Sequence, residues 1–130
     1  LVQALIAREN ARGIPTERIV LAGFSQGSAM TLQTGLRLEE QLAGMVCLSG
    51  YLPLAGKTST ERHPANATTP IFMAHGTQDP VVPIERAQES KALLGELGYD
   101  IEWHTYPMPH SVHPDEVSAI GDFLKKVLVT

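Results

Sequence analysis

The 130-residue chain is 43% hydrophobic and 18% charged, which suits one domain with a real core and excludes a disordered chain. Its formal net charge is −4 and its ten Lys and Arg are scattered, a poor match to nucleic acid, which needs clustered positive charge. One cysteine, Cys47, excludes an internal disulfide framework and favours a reducing compartment, and no apolar stretch approaches the length of a membrane span.

The chain opens on Leu1 without an initiator methionine and passes straight into a helical pattern, so it reads as a protein entered in the middle. Leu1, Val2, Leu5 and Ile6 fall on one helical face, with Gly13 as a stop and Pro15 unable to continue. Arg18 to Ala22 is a short apolar run rich in β-branched residues, expected to be a strand covered on both faces. Gly23 to Gly27 form a turn, and a helix is expected from Ser28 to about Leu38, with Met30, Leu32, Leu36 and Leu38 packing. Gly44 to Ser49 is a second buried strand, in which Cys47 serves as a small hydrophobe. Gly50 to Pro70 has no clear period and reads as a long loop with room for a short helical turn. Ile71 to His75 is a third strand. Pro83 starts a helix running to about Leu97, which Gly98 ends. Asp100 to Tyr106 alternates and is aromatic-rich, a fourth strand. Pro114 starts a last helix with an apolar stripe of Val117, Ile120, Phe123, Leu124 and Val127. Strands alternating with helices predict an α/β fold with a mostly parallel sheet and flanking helices.

Gly23-Phe24-Ser25-Gln26-Gly27 stands between a buried strand and a helix. A sharp turn there strains the central residue and needs small neighbours, here Gly23 and Gly27, and it lifts the Ser25 hydroxyl above the sheet. The N–H of Gln26, at the helix start, is the expected oxyanion donor. A serine hydroxyl is a weak nucleophile and needs a base. His110 follows the fourth strand and Asp79 follows the third, so Ser25, Asp79 and His110 occur in the order that this architecture uses, all past strand ends. His75 is expected to pack under the acid loop. His113 precedes Pro114 and reads as a residue at the start of the last helix, with Asp115 and Glu116 favouring its dipole. Asp100 precedes a strand, and Ser49 and Ser111 have no base arranged by sequence. Zinc ligation by His104, His110 and His113 is the competing reading, but their spacing matches no standard pattern.

Gly23 to Ala29, His75 to Val82 and Tyr106 to Val112 together resemble the phospholipase/carboxylesterase family, over nearly the whole chain from Arg18 onward. The resemblance implies Ser25 as nucleophile, Asp79 as acid and His110 as base. It implies hydrolysis of small-molecule carboxylic esters or thioesters of small to medium acyl groups, with no metal or organic cofactor, in the cytoplasm, with a homodimer among the expected partners. Leu52 and Leu54, after the second strand, are the expected pocket-lining residues. A dienelactone hydrolase would usually place cysteine at position 25, and a peptidase would turn over amides.

The chain departs from the family in one respect. Members carry an N-terminal portion holding the first strands and a His-Gly loop that supplies a second oxyanion N–H, and nothing in these 130 residues matches it. The chain therefore corresponds to a C-terminal part lacking the N-terminal strands. Loss of one such donor costs about 2.7–4 kcal/mol of transition-state stabilisation. The strand at Arg18 to Ala22 would become an exposed edge. Either the natural protein is longer, or the chain is a weakly active or non-catalytic fragment that self-associates through that edge.

Overall fold

Four strands carry the fold: β1 (Val20–Phe24), β2 (Gly44–Leu48), β3 (Ile71–Gly76) and β4 (Ile101–Tyr106). They lie in the order β1-β2-β3-β4, and all three pairings are parallel. The computed structural model describes residues 2–128, so the expectation for Leu1 lies outside the described residues. Helix α1 is Val2–Ala11, α2 Gln26–Gly35, α3 Ala55–Glu61, α4 Ile84–Glu96 and α5 Pro114–Leu128.

Side-chain alternation divides the core between the two sheet faces. Met45, Cys47, Ile71 and Met73 pack with Ile6 of α1, Leu32 of α2, Leu36 at its C-cap, and Leu94 of α4. Val46, Phe72 and Ala74 point the other way and pack with Phe123 of α5. Covering on both faces is why β2 and β3 are nearly continuous apolar runs. α2 and α4 cross over on the same face, so the strands add in one direction and every strand end points to the same side of the sheet.

Helix ends follow local rules. After α4, Gly98 takes φ 91°, Tyr99 N–H donates to Leu94 O at 3.1 Å and Gly98 N–H to Gly95 O at 3.0 Å, a Schellman stop. At the start of α5, His113 Nδ1 accepts from Asp115 N–H at 3.1 Å, and Glu116 Oε1 accepts from His113 N–H at 3.4 Å. This is a capping-box arrangement with Pro114 at the first helical position. Lys125 and Lys126 complement the other end of the helix dipole.

The structure corrects several expectations. β1 starts at Val20, because Thr16–Arg18 close a single 3-10 turn, Arg18 N–H donating to Pro15 O. β1 is an edge strand among the described residues, as expected without the N-terminal strands, but Ala22 and Phe24 are exposed, so it is not covered on both faces. α2 begins at Gln26 and not Ser28, so strand and helix meet at Ser25 alone. Met30 is 39% exposed and Val117 56% exposed, so neither packs as expected. The long loop holds α3 and a 3-10 turn at Pro64–Asn66. A buried asparagine anchors it: Asn66 Oδ1 accepts from Leu42 N–H at 2.8 Å, and Asn66 Nδ2 donates to Glu40 O at 2.9 Å. No helix among the described residues is long and apolar enough to cross a membrane.

Candidate active site

The site is built where β1, β3 and β4 end. Ser25 joins β1 to α2 with φ 59° and ψ −116°, a conformation L-residues rarely take, worth about 1–3 kcal/mol of strain. Two backbone bonds over-determine it: Ser25 N–H donates to Leu48 O at 2.8 Å, and Ser25 O accepts from Ser28 N–H at 3.1 Å. A Cβ on Gly23 would overlap the Gly27 carbonyl, so this turn requires glycine at Gly23. At Gly27, by contrast, an added Cβ would meet nothing within 4 Å, so the expected steric need there is not found. Gln26 is the first residue of α2, and its N–H has no intrahelical acceptor.

The loop after β4 brings His110 over the strand ends, and the loop after β3 brings Asp79. Gly76 makes their approach feasible, because a Cβ there would overlap the backbone oxygens of Met108 and Pro109. The glycine before the acid loop is visible in the sequence; that it faces the base loop is not.

His110 Nε2 lies 2.9 Å from Ser25 Oγ, and His110 Nδ1 lies 2.7 Å from Asp79 Oδ2. The Asp79 side chain is fully buried and that of His110 is 17% exposed. Burial acts to raise the Asp79 pKa, but the His110 bond and the N–H groups of Val82 and Val81 outweigh it and hold the carboxyl below its ordinary value. Asp79 is therefore an ionised acceptor, so Nδ1 carries the His110 proton. Nε2 is then left with its lone pair toward the Ser25 hydroxyl, which donates to it. The Phe24 ring packs against the His110 ring, centroids 4.8 Å apart, and limits its swing.

Other sequence candidates have separate places. His75 is buried below the acid loop, with Nε2 2.7 Å from Val82 O. His104 bonds Glu102 at 2.8 Å on β4, and His113 caps α5, so the three histidines considered for zinc are not gathered. Among the described residues no group of three or more His, Cys, Asp or Glu is placed to hold a metal. Cys47 is 2% exposed and burial pushes its thiol up to about 12. Leu52 is buried with its N–H donated to Ser90 Oγ, whereas Leu54 is 55% exposed with φ 49°. Both line a cavity of about 520 Å³ beside the end of β2, with Tyr51, Pro53, Arg86 and Leu93. The Arg86 guanidinium stacks 3.7 Å above the Tyr51 ring, a wall that sequence reading did not anticipate. A larger cavity, about 640 Å³, lies by Arg18, Ala43 and Pro70, at the opposite ends of the strands from Ser25.

Residues 1–128 match the phospholipase/carboxylesterase family model. The chain belongs to this family. Family members similar to it include an acyl-protein thioesterase 1 of Gibberella zeae, 47% identical over 127 residues, covering 95% of this chain and 54% of the relative. One from Mycosarcoma maydis is 48% identical over 120 residues, 88% of this chain and 50% of the relative. The chain thus spans about half the length of the curated relatives it matches. Among solved structures, SOBER1 of Arabidopsis thaliana superposes with a TM-score of 0.89 at 35% identity, over 98% of this chain and 61% of that one. Esterase PE8 does so with a TM-score of 0.90 at 32% identity, over 98% and 59%. The fold is that of the α/β-hydrolase esterases, represented by part of their length.

Proposed function

We propose that the chain carries the nucleophile, base and acid of a serine carboxylesterase that hydrolyses carboxylic esters or thioesters of small to medium acyl groups. The observation that carries this reading is the continuous line Ser25 Oγ, His110 Nε2, His110 Nδ1, Asp79 Oδ2, with separations of 2.9 and 2.7 Å. His110 Nε2 takes the Ser25 proton while Oγ bonds to the substrate carbonyl carbon. The oxyanion so formed accepts from the Gln26 N–H at the start of α2. The tetrahedral adduct collapses, His110 returns the proton to the departing alcohol or thiol, and an acyl-enzyme remains on Ser25. A water, deprotonated by His110, then releases the acid. Asp79 keeps Nδ1 protonated and stabilises the imidazolium throughout. The names of the thioesterase relatives support the substrate class.

Residues 1–130 are read as one α/β-hydrolase unit, part of a longer family domain, and the cavity beside Leu52 and Leu54 as the seat of the acyl or leaving group. A chromogenic short-chain ester and a fluorophosphonate probe test the assignment. Ser25→Ala should abolish both turnover and labelling; equal activity in the variant, or labelling elsewhere, removes Ser25 from the chemistry. A Leu54→Trp change should alter chain-length preference.

A second reading is favoured by the exposed edge of β1. There the chain is a weakly active or non-catalytic half that self-associates through that edge. It predicts slow probe labelling, little or no turnover, and dimers or larger species on sedimentation.

A further inference from the structure

Asp79 sits on a loop, residues 77–83, whose two ends are held differently. The first end is tied to the end of β4 and the loop after it that bears the base: Thr77 N–H donates to Tyr106 O at 2.9 Å and Gln78 N–H to Met108 O at 3.1 Å. The second end is tied by a side chain of β3. His75 Nε2 lies 2.7 Å from Val82 O and 3.5 Å from Asp79 Oδ2. A carbonyl oxygen only accepts, so Nε2 carries a proton, and this bond selects the ring tautomer. The same nitrogen thus stands close to the carboxylate oxygen that receives His110 Nδ1. His75 is 1% exposed, so water does not compete for these bonds.

We propose that His75 is a positioning residue for the acid: its Nε2–H clamps Val82 O and thereby keeps Asp79 Oδ2 within reach of His110. The inference rests on the serine-hydrolase reading, in which Asp79 orients the base. Val81 and Val82 N–H donate to Asp79 Oδ1 at 2.8 and 2.9 Å, but these bonds join the carboxylate only to its own loop. They fix the side chain to the loop but do not themselves tie that end of the loop to the sheet. His75, at the end of β3, supplies the attachment. Its titratable neighbours are Asp79 from the loop and the buried Glu116 from α5, while Thr105 is its register partner on β4.

The test compares two variants with the unsubstituted chain. His75→Leu keeps bulk and removes the donor; His75→Gln puts an amide N–H close to the Nε2 position. His75→Leu should lower kcat by up to about 10²-fold with KM unchanged, the loss that a misplacement of roughly 1 Å produces. His75→Gln should recover most of it. Equal losses in both variants, or a change confined to KM, would overturn the proposal. An imidazole nitrogen NMR spectrum of the unsubstituted chain decides the matter even if His75→Leu does not fold. The resonance that disappears in His75→Gln should be an Nε2–H tautomer with an exchange-protected ring proton, and an Nδ1–H tautomer there overturns the clamp. Ser25→Ala separates the two levels. Turnover surviving Ser25→Ala removes the hydrolase reading, whereas turnover lost in Ser25→Ala but intact in His75→Leu removes only the positioning role.

Discussion

Gly76→Ala should disarm the site without altering Ser25, His110 or Asp79. An added Cβ would lie 2.3 Å from the Met108 carbonyl oxygen and 2.5 Å from that of Pro109, whereas ordinary van der Waals contact begins at 3.4 Å. Both oxygens belong to residues just before His110, so relief requires the base loop to retreat by the larger difference, about 1.1 Å. Carried to the ring, the same displacement opens the 2.9 Å separation of His110 Nε2 and Ser25 Oγ. At about 4.0 Å the hydroxyl no longer donates to the base. A misplacement of roughly 1 Å at reacting groups costs about 10²-fold, or about 2.7 kcal/mol of barrier. Overpacking adds about 1–3 kcal/mol of lost stability, seen as a lower thermal midpoint. The rate at which a fluorophosphonate labels Ser25 reports nucleophile activation directly and does not require full turnover. Labelling should slow by about 10²-fold in folded Gly76→Ala. An unchanged labelling rate would refute the close seating of the base loop against the end of β3.

Asp79→Asn keeps an oxygen for the Val81 and Val82 N–H groups but presents an amide N–H to His110 Nδ1, forcing the other tautomer, so kcat should fall by up to about 10⁴-fold and the urea midpoint at neutral pH should drop as the carboxylate's contribution is lost. Because the Asp79 pKa is lowered on folding, its contribution to stability is full above the ordinary carboxyl range and is lost as pH falls through the folded value; denaturant midpoints on acidification should show this loss in the unsubstituted chain and not in Asp79→Asn. Glu116 has the opposite sign. Burial raises its pKa above the ordinary 4.5 despite the His113 N–H, so its favourable contribution exists below the unfolded value and is lost as pH rises through the folded one. Glu116→Gln should therefore match the unsubstituted chain below that range and be more stable at neutral pH, measured by urea midpoints against pH. Leu32→Ala, at a position with no exposure, should cost about 2–5 kcal/mol in the same assay, whereas Met30→Ala, two residues away and 39% exposed, should cost less than about 0.5 kcal/mol.

Features set by neighbours in the chain were legible without coordinates. Continuous apolar runs marked β2 and β3, Gly98 marked the end of α4, His113 and Pro114 marked the start of α5, and the order of Ser25, Asp79 and His110 after the first, third and fourth strands pointed to one site. These rest on backbone sterics, side-chain period and capping, which act over a few residues. What required the tertiary structure was the meeting of groups far apart: Ser25 and His110 are 85 residues apart in the chain, and Asp79 and His110 31. Only the folded chain decides which face of a helix is covered, which is why Met30 and Val117 read as packing residues and are exposed. The anchoring of the loop before β3 through Asn66 and the clamp of His75 on Val82 are likewise invisible in composition or spacing, because a buried polar side chain acquires its role from the partner that the fold brings within about 3 Å.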